Sequence, residues 1–335
     1  VRHRLKDVAE RAGVSVKTVS NVVNGHLHVR PDTRARVEEA IAELNYRPNL
    51  SARHLRKGRT GVIALAVPEL DVPYFAELAR HVVTAAAEYG WTVLIDQTEG
   101  RRDQERVLAS GITDHLIDGL ILSPSALTAA DLAGLDGTPM VLLGERIEHC
   151  SADRVVIDNV TAARESTAHL IQIGRRRIAA VGAQRTDVGA SARLRLAGYR
   201  DALRAAGLDY DQALVASAPA WHRADGAAAM RGLLTSGVRP DAVFCFNDTL
   251  ALGALRALHE AGLRVPEDVA VVGFDDIEDG RFAIPALSTV APDKEQIARL
   301  AIQLLADRLD GDRTVPAREL AAPYRLELRE STGTG

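Results

Sequence analysis

Several features are scarce or missing in this chain of 335 residues, and each absence removes a class of protein. No run of about 18 apolar residues occurs, so no segment is expected to span a membrane. The opening residues, Val1-Arg2-His3-Arg4-Leu5-Lys6-Asp7, contain no apolar core of a secretory signal, so the cytoplasm is the expected compartment. Cysteine is limited to Cys150 and Cys245. The second lies in Val243-Phe244-Cys245-Phe246, which reads as a buried strand, so it is expected as a small core residue rather than half of a disulfide. Catalytic signatures are missing as well: there is no Walker motif, GxSxG elbow, HExxH, or GxGxxG followed by an acidic residue. Asp275-Asp276 resembles a catalytic carboxylate pair, but adjacent strand residues point to opposite faces and do not easily flank one bond. His26 and His28 alternate in a loop without cysteine or an acidic cluster nearby. No catalytic residue, metal or cofactor is therefore expected, and there is no low-complexity segment or short-period repeat.

What is present is an ordinary globular composition, 47% hydrophobic and 26% charged. At ~150 residues per domain the length suits two or three domains. Charge is unevenly spread: residues 1–60 carry 13 Lys and Arg against 6 Asp and Glu, net +7, so the overall −4 leaves −11 for the remainder. A positive head on a negative body suits a domain facing phosphates, since each neutralised phosphate releases counterions. On charge alone, a merely solvated basic face would look the same.

The head has helical texture. Leu5, Val8, Ala9 and Ala12 fall at helical spacing, and Gly13 stands where a helix end needs a left-handed residue. Ser15 is placed to cap a second helix reaching about Asn24, with Val19, Val22 and Val23 inward. A third helix is expected from Pro31 to about Asn45, with Val37, Ile41 and Leu44 inward, and Pro48 stops it. Residues 49–57 predict a short helix with few apolar anchors, marginal by itself. After Gly58-Arg59-Thr60-Gly61 the texture changes to short apolar runs, Val62–Val67, Thr92–Ile95, Leu120–Leu122, Val141–Leu143, Val155–Ile157, Ile178–Val181, Val243–Phe246 and Val269–Phe274. Helical stretches such as 74–89, 161–173, 193–206, 224–236 and 249–261 lie between them. This alternation predicts β-α-β units and parallel sheets covered on both faces. Roughly 270 residues are too many for one such sheet, so two sub-domains facing a cleft are expected.

The segment from Leu5 to Gly25 carries the strongest signal. Small Ala9, turn-forming Gly13 and core Val19 sit where two helices must cross at a tight turn, and the second helix presents Val16, Lys17 and Asn21 on one outward face, as major-groove reading requires. At this point the chain resembles the lac repressor (LacI/GalR) family of bacterial transcription regulators. In the head, Asp7-Val8-Ala9, Gly13-Val14-Ser15, Thr18-Val19-Ser20 and Asn45-Tyr46-Arg47-Pro48-Asn49 match; in the body, Ser191–Tyr199, Asn247–Ala254, Val271–Asp276 and the tail Leu328–Thr332 match in order.

The resemblance implies an all-α helix-turn-helix head over residues 1–47, a hinge helix and linker over 48–60, and an α/β body over 61–330. That body would be two doubly wound lobes of periplasmic-binding-protein type, an N-lobe of about 61–160 and 291–320 and a C-lobe of about 161–290 and 321–330. Carried over by position, Val16, Lys17 and Asn21 read base edges, Asn21 suiting adenine and Lys17 guanine. Ser15, Thr18, Ser20, Asn24, Thr33, Tyr46 and Asn49 match phosphate-contacting positions, which set register without reading sequence. Many family members have Arg where Asn21 stands, and Arg30 replaces a Ser or Thr that often caps the third helix, so that cap is expected to be lost. Leu55 matches the minor-groove wedge, and Ala52 is small enough for two hinge helices to approach.

In the body, Phe75, Ser191, Arg195, Trp221, Asn247 and Asp275 match effector-contacting positions. Arg195, Asn247 and Asp275 are expected at or just beyond strand carboxyl ends, and guanidinium, amide, carboxylate and flat aromatic faces together suit a sugar. Each residue has a plainer reading: caps and solvated polar residues in the head, a surface ion pair for Arg195, lobe core for Trp221, plain packing for Phe75 and Leu55. The implied protein is not an enzyme. It is a homodimeric repressor on double-stranded, pseudo-palindromic operator DNA, released by a small sugar, and it has no membrane partner. A corepressor-type regulator tightened by its ligand is the same physics with opposite sign. A sugar carrier is the remaining alternative, distinguished by a signal peptide and by having no use for the head. The tail Arg329–Gly335 is too short for the C-terminal heptad helix of family tetramers, which favours a dimer.

Overall fold

The computed structural model describes residues 5–23, 29–44, 46, 59–110, 116–133, 138–147, 150–184, 190–311 and 315–333. The chain divides into two compact units, Val1–Gly61 and Val62–Gly335.

The described part of the head contains α1 (Leu5–Ala12), α2 (Val16–Val23) and α3 (Pro31–Glu43). Gly13 takes φ +63°, and the chain reverses so that Val14 N–H donates to the Ala9 carbonyl at 3.0 Å. Ser15 Oγ then accepts from Thr18 N–H at 3.1 Å, satisfying an amide that the start of a helix leaves free. Arg30 precedes α3 without a side-chain cap, as its long cationic side chain dictates. Val8, Ala9, Ala12, Val19, Val22, Val37, Ala40 and Tyr46 are buried together as the head core.

The body contains two six-stranded sheets. The first lobe runs β1 (Val62–Val67), α4 (Pro73–Glu88), β2 (Thr92–Gln97), α5 (Arg102–Ala109), β3 (Gly119–Leu122), α6 (Ala129–Leu132), β4 (Met140–Leu143) and β5 (Asp153–Val156). The second runs α7 (Asn159–Gln172), β6 (Ile178–Ala183), α8 (Ala190–Ala205), β7 (Val215–Ser217), α9 (Arg223–Thr235), β8 (Ala242–Cys245), α10 (Asp248–Glu260), β9 (Ala270–Phe274), α11 (Glu278–Arg281) and β10 (Ser288–Pro292). Helix α12 (Lys294–Asp310) and β11 (Glu319–Ala321) return to the first lobe, and β12 (Tyr324–Glu327) goes back to the second.

Sheet order is β11-β5-β4-β3-β1-β2 in one lobe and β12-β10-β9-β8-β6-β7 in the other. Every pairing is parallel except β10 with β12. The central strands are near-continuous apolar runs because helices cover both faces. In each sheet the order reverses beside the first strand, at β1/β3 and at β6/β8, which opens a crevice at the carboxyl ends of the strands. Helices α9 and α10 approach closely through Gly226 and Gly253: a Cβ on Gly253 would lie 2.0 Å from the Arg223 carbonyl oxygen.

Candidate DNA-reading head and ligand cavity

On α2, Val16 is 45% exposed, Lys17 is exposed and Asn21 is half-buried, one turn on from Lys17. Val19 and Val22, on the opposite side, are buried in the head core. This division leaves one polar face of α2 available to a groove. Ser15 is exposed and hydrogen-bonded to Thr18 Oγ at 2.8 Å, while Ser20 and Thr33 are half-buried. Tyr46 departs from an open phosphate-contacting side chain: it is 7% exposed and packs within the head core, with its N–H on the Ile41 carbonyl at 2.9 Å. Asn24, Asn49, Ala52 and Leu55, and the hinge with them, lie outside the described residues.

In the body, a cavity of about 450 Å³ is bordered by Phe75, Ser191, Arg195, Trp221, Asn247 and Asp275. Thus the six positions singled out from the sequence border one space, although the first and the last are 200 positions apart. Its walls follow strand ends: Pro68 and Glu69 follow β1, Ser123 follows β3, Glu145 follows β4, Gln184 follows β6, Asn247 follows β8 and Asp275 follows β9.

Arg195 is a correction to the strand-end expectation, because it stands in the second turn of α8. It is buried rather than paired on a helix surface. Its Nε donates to Asn159 Oδ1 at 2.7 Å, its Nη1 donates to the Phe246 carbonyl, and its guanidinium lies 3.5 Å from the centre of the Phe274 ring. Such a cation, desolvated against an aromatic face, is held rigidly. Asn247 has less to offer a ligand than its type suggests. Its Oδ1 caps α10 through Leu250 N–H at 2.8 Å, and its Nδ2 donates to the Trp221 carbonyl at 3.1 Å. That carbonyl also accepts from Thr249 Oγ at 2.5 Å, and Trp221 Nε1 donates to the Gly182 carbonyl at 2.8 Å. These bonds hold Trp221 at φ +61°, with its ring edge-on to Phe246. Phe75, in the first turn of α4, forms the facing aromatic wall with Tyr74, their rings edge-to-face at 5.3 Å.

Asp275 and Asp276 diverge for a reason other than strand alternation. Both follow β9 in left-handed backbone, at φ +117° and +51°. Asp276, itself buried, turns into an ion cluster with Arg281 and Arg329, each at 2.6 Å. Asp275 borders the cavity, where burial pushes its carboxyl up to about 6 against the opposing pull of Arg195 and Lys294. Behind it, fully buried Asp248 accepts from Thr289 Oγ at 2.6 Å and from Ile277 N–H at 3.0 Å. Burial holds that carboxyl well above the usual range.

Among the lining residues that were not anticipated, Glu145, Tyr74 and Asn159 bear most on the chemistry of the site. Glu145 follows Gly144, which takes φ +90° at the end of β4. Burial raises its carboxyl; it accepts from Ile157 N–H at 2.8 Å and from Ser191 Oγ of the second lobe at 3.4 Å. An ionisable residue directly after an apolar run and a glycine is the signal that points to it. Tyr74 carried only its adjacency to Phe75, and Asn159, the partner of Arg195, carried no signal of its own. Among the described residues no cluster of His, Cys, Asp or Glu is arranged to hold a metal ion, and no helix is long and apolar enough to cross a membrane.

A head that exposes one helix face, joined in sequence to a two-lobed body with a ring of polar groups and aromatic walls in its cleft, defines a class: DNA-binding regulators with a periplasmic-binding-protein-like body. The chain belongs to the lacI family of bacterial regulatory proteins. That family's model matches residues 4–49, and the model of a periplasmic binding protein-like domain matches residues 167–332. The chain is 37% identical to the HTH-type transcriptional regulator CelR of Thermobifida fusca, over 98% of both chains. Among solved structures, a complex of the transcriptional regulator CelR with cellobiose shares 35% identity over 98% of this chain and 100% of that one, with a TM-score of 0.71. The lac repressor dimer bound to operator and the anti-inducer ONPF shares 29% identity over 99% of each chain, with a TM-score of 0.76.

Proposed function

We propose that this transcriptional regulator represses sugar-utilisation genes as a cytoplasmic homodimer on a pseudo-palindromic operator, and that a small sugar, with cellobiose the first to test, releases it. The observation that carries the reading is the single cavity bordered by Phe75, Ser191, Arg195, Trp221, Asn247 and Asp275, in a chain 35% identical to a regulator bound to cellobiose. Trp221 and Phe75 offer flat faces to the C–H side of a sugar ring, Arg195 donates to hydroxyls, and Asp275 accepts from them. Most polar atoms of Asn159 and Asn247 are engaged by the protein itself, which suits binding without chemistry: cellobiose is expected back unchanged after prolonged incubation.

On the DNA side, Val16, Lys17 and Asn21 read base edges while Ser15, Thr18, Ser20, Asn24, Thr33 and Asn49 dock on phosphates, with buried Tyr46 supporting them from the head core. The hinge over 48–60 brings Ala52 of two copies together and Leu55 into the minor groove. Dimerisation is supported by large apolar side chains left open on the body, Phe282 at 79% and Ile284 at 96% exposure, with Leu94 and Ile95 half-open on edge strand β2. Such groups cost free energy in water and gain it when a second copy covers them.

A sugar that binds one lobe arrangement better than the other shifts operator affinity by that difference, and operator shifts sugar affinity equally. The test is a gel-shift titration on the control region upstream of the gene, with mono- and disaccharides added. Release by cellobiose supports the proposal. Tightening by cellobiose, or indifference to every sugar offered, refutes it.

A further inference from the structure

The cleft contains an ionic contact that no sugar-binding role accounts for. Lys294 opens α12, a helix packed on the first lobe through α4, β3, β4 and β5, and is 8% exposed. Its Nζ donates to Glu77 Oε2 at 2.5 Å and to the carbonyls of Asp275 at 2.6 Å and Asp276 at 3.0 Å. Glu77 stands on α4, two residues beyond the Phe75 wall, and its Oε1 accepts from Glu278 N–H of the second lobe at 2.9 Å. One carboxylate and one ammonium of the first lobe therefore bind both ends of the turn 275–278 of the second.

That turn is costly to hold. Two successive non-glycine residues adopt φ +117° and +51°, which persist only where their surroundings over-determine them. Its first three amides are bound within the second lobe: Asp275 N–H to the Val290 carbonyl at 2.8 Å, Asp276 N–H to Thr289 Oγ at 3.4 Å and Ile277 N–H to Asp248 at 3.0 Å. Its two carbonyls turn onto one cation from the other lobe. A buried ammonium with three acceptors, one of them charged, is a strong and short-range tether.

We infer that Lys294 and Glu77 are positioning residues for Asp275, and that their clasp makes lobe closure and presentation of the Asp275 carboxylate one event. The inference rests on the reading of Asp275 as an effector-binding residue. In this account an opened cleft withdraws Lys294, relaxes the strained turn and turns the carboxylate away, so sugar is captured only by the closed arrangement.

The experiment is amide hydrogen exchange on the full-length, sugar-free protein, with Lys294→Met, Lys294→Arg, Glu77→Gln and the Lys294→Met/Glu77→Gln double variant. Lys294→Met is expected to speed exchange of the 275–278 amides roughly tenfold or more, with a smaller rise in the first turn of α4, while the sheets stay protected. Lys294→Arg, which keeps the charge and donors, restores most of the protection. Glu77→Gln leaves the ammonium on its carbonyls, so it is expected to fold even where Lys294→Met does not, and it must still loosen Glu278. Cellobiose titration adds a second readout: both single variants weaken binding, and the double variant is no weaker than the weaker single. Unchanged exchange at 275–278 in Lys294→Met and Glu77→Gln, or a rise spread evenly over the body in both, overturns the inference. So does native-like cellobiose binding by variants whose turn has loosened. If the native protein binds no cellobiose while the exchange pattern holds, the effector reading fails and the clasp stands.

Discussion

Replacing Asp275 by Asn tests the cavity through its pH dependence. The buried carboxyl titrates at about 6 instead of 3.8. At 1.36 kcal/mol per pKa unit the difference amounts to ~3 kcal/mol, an order-of-magnitude figure. Because the folded value is the higher one, the protonated form is favoured by folding. The stabilisation is complete below about pH 4 and is lost as pH rises through about 6. In the sugar-free protein, Asp275→Asn should therefore be close to neutral near pH 4 and should stabilise by up to ~3 kcal/mol at pH 7 and above. Sugar binding should show the opposite trend. A hydroxyl that donates to the carboxylate favours the ionised form, so affinity is highest above about pH 6 and is about tenfold weaker near pH 5, where only about a tenth of the free sites are ionised. Calorimetry of cellobiose binding in buffers of different ionisation enthalpy counts the protons: about half a proton should be released per sugar near pH 6, and none from Asp275→Asn. Proton-neutral binding by the native protein at that pH, with the same pH profile in Asp275→Asn, would refute the reasoning.

Trp221→Ala should weaken cellobiose binding by roughly tenfold or more, and Trp221→Phe by less, since the flat apolar face is kept; in a Trp91→Phe background, where Trp221 is the one tryptophan left, cellobiose should also change the emission. Lys17→Ala and Asn21→Ala should each cost about 1–3 kcal/mol on the operator and far less on unrelated duplex, read by gel shift at fixed salt. Phe282→Asp with Ile284→Glu should yield monomer in analytical ultracentrifugation without loss of cellobiose binding. Gly253→Ala should destabilise by about 1–3 kcal/mol in thermal unfolding, because the added Cβ meets the Arg223 carbonyl at 2.0 Å and α9 and α10 must separate to admit it.

The fold was legible where burial is two-sided. Each of the eight apolar runs became a strand, and for all but the exposed edge strand β2 the reason is that a parallel strand covered on both faces has no polar alternation to disguise it. Strands β7, β10, β11 and β12 were not read: Val215–Ser217 is a short edge, Ser288–Pro292 opens on Ser-Thr, and Tyr324–Glu327 alternates with charge. Helix α12 was also passed over, although Ile297, Ala298, Ala301, Ile302, Leu304 and Leu305 recur at helical spacing. What no periodicity reveals is that Lys294 at its start is buried. The cavity residues were found by resemblance, and their second roles came only from geometry. Asn247 as the bracket of Trp221 and Arg195 as a helix residue stacked on Phe274 depend on neighbours far away in sequence.

The order in which the chain visits its two lobes has a consequence for biosynthesis. Helix α12 and strand β11 complete the first lobe, yet they follow the entire second lobe, and β12 completes the second only after that. A nascent chain that has emerged as far as β10 therefore has two unfinished sheets. Because contacts so distant along the chain form late, the head can be translated and folded long before the sensor exists. A regulator interrupted in synthesis would keep its DNA-reading helix and lack every means of being told to let go.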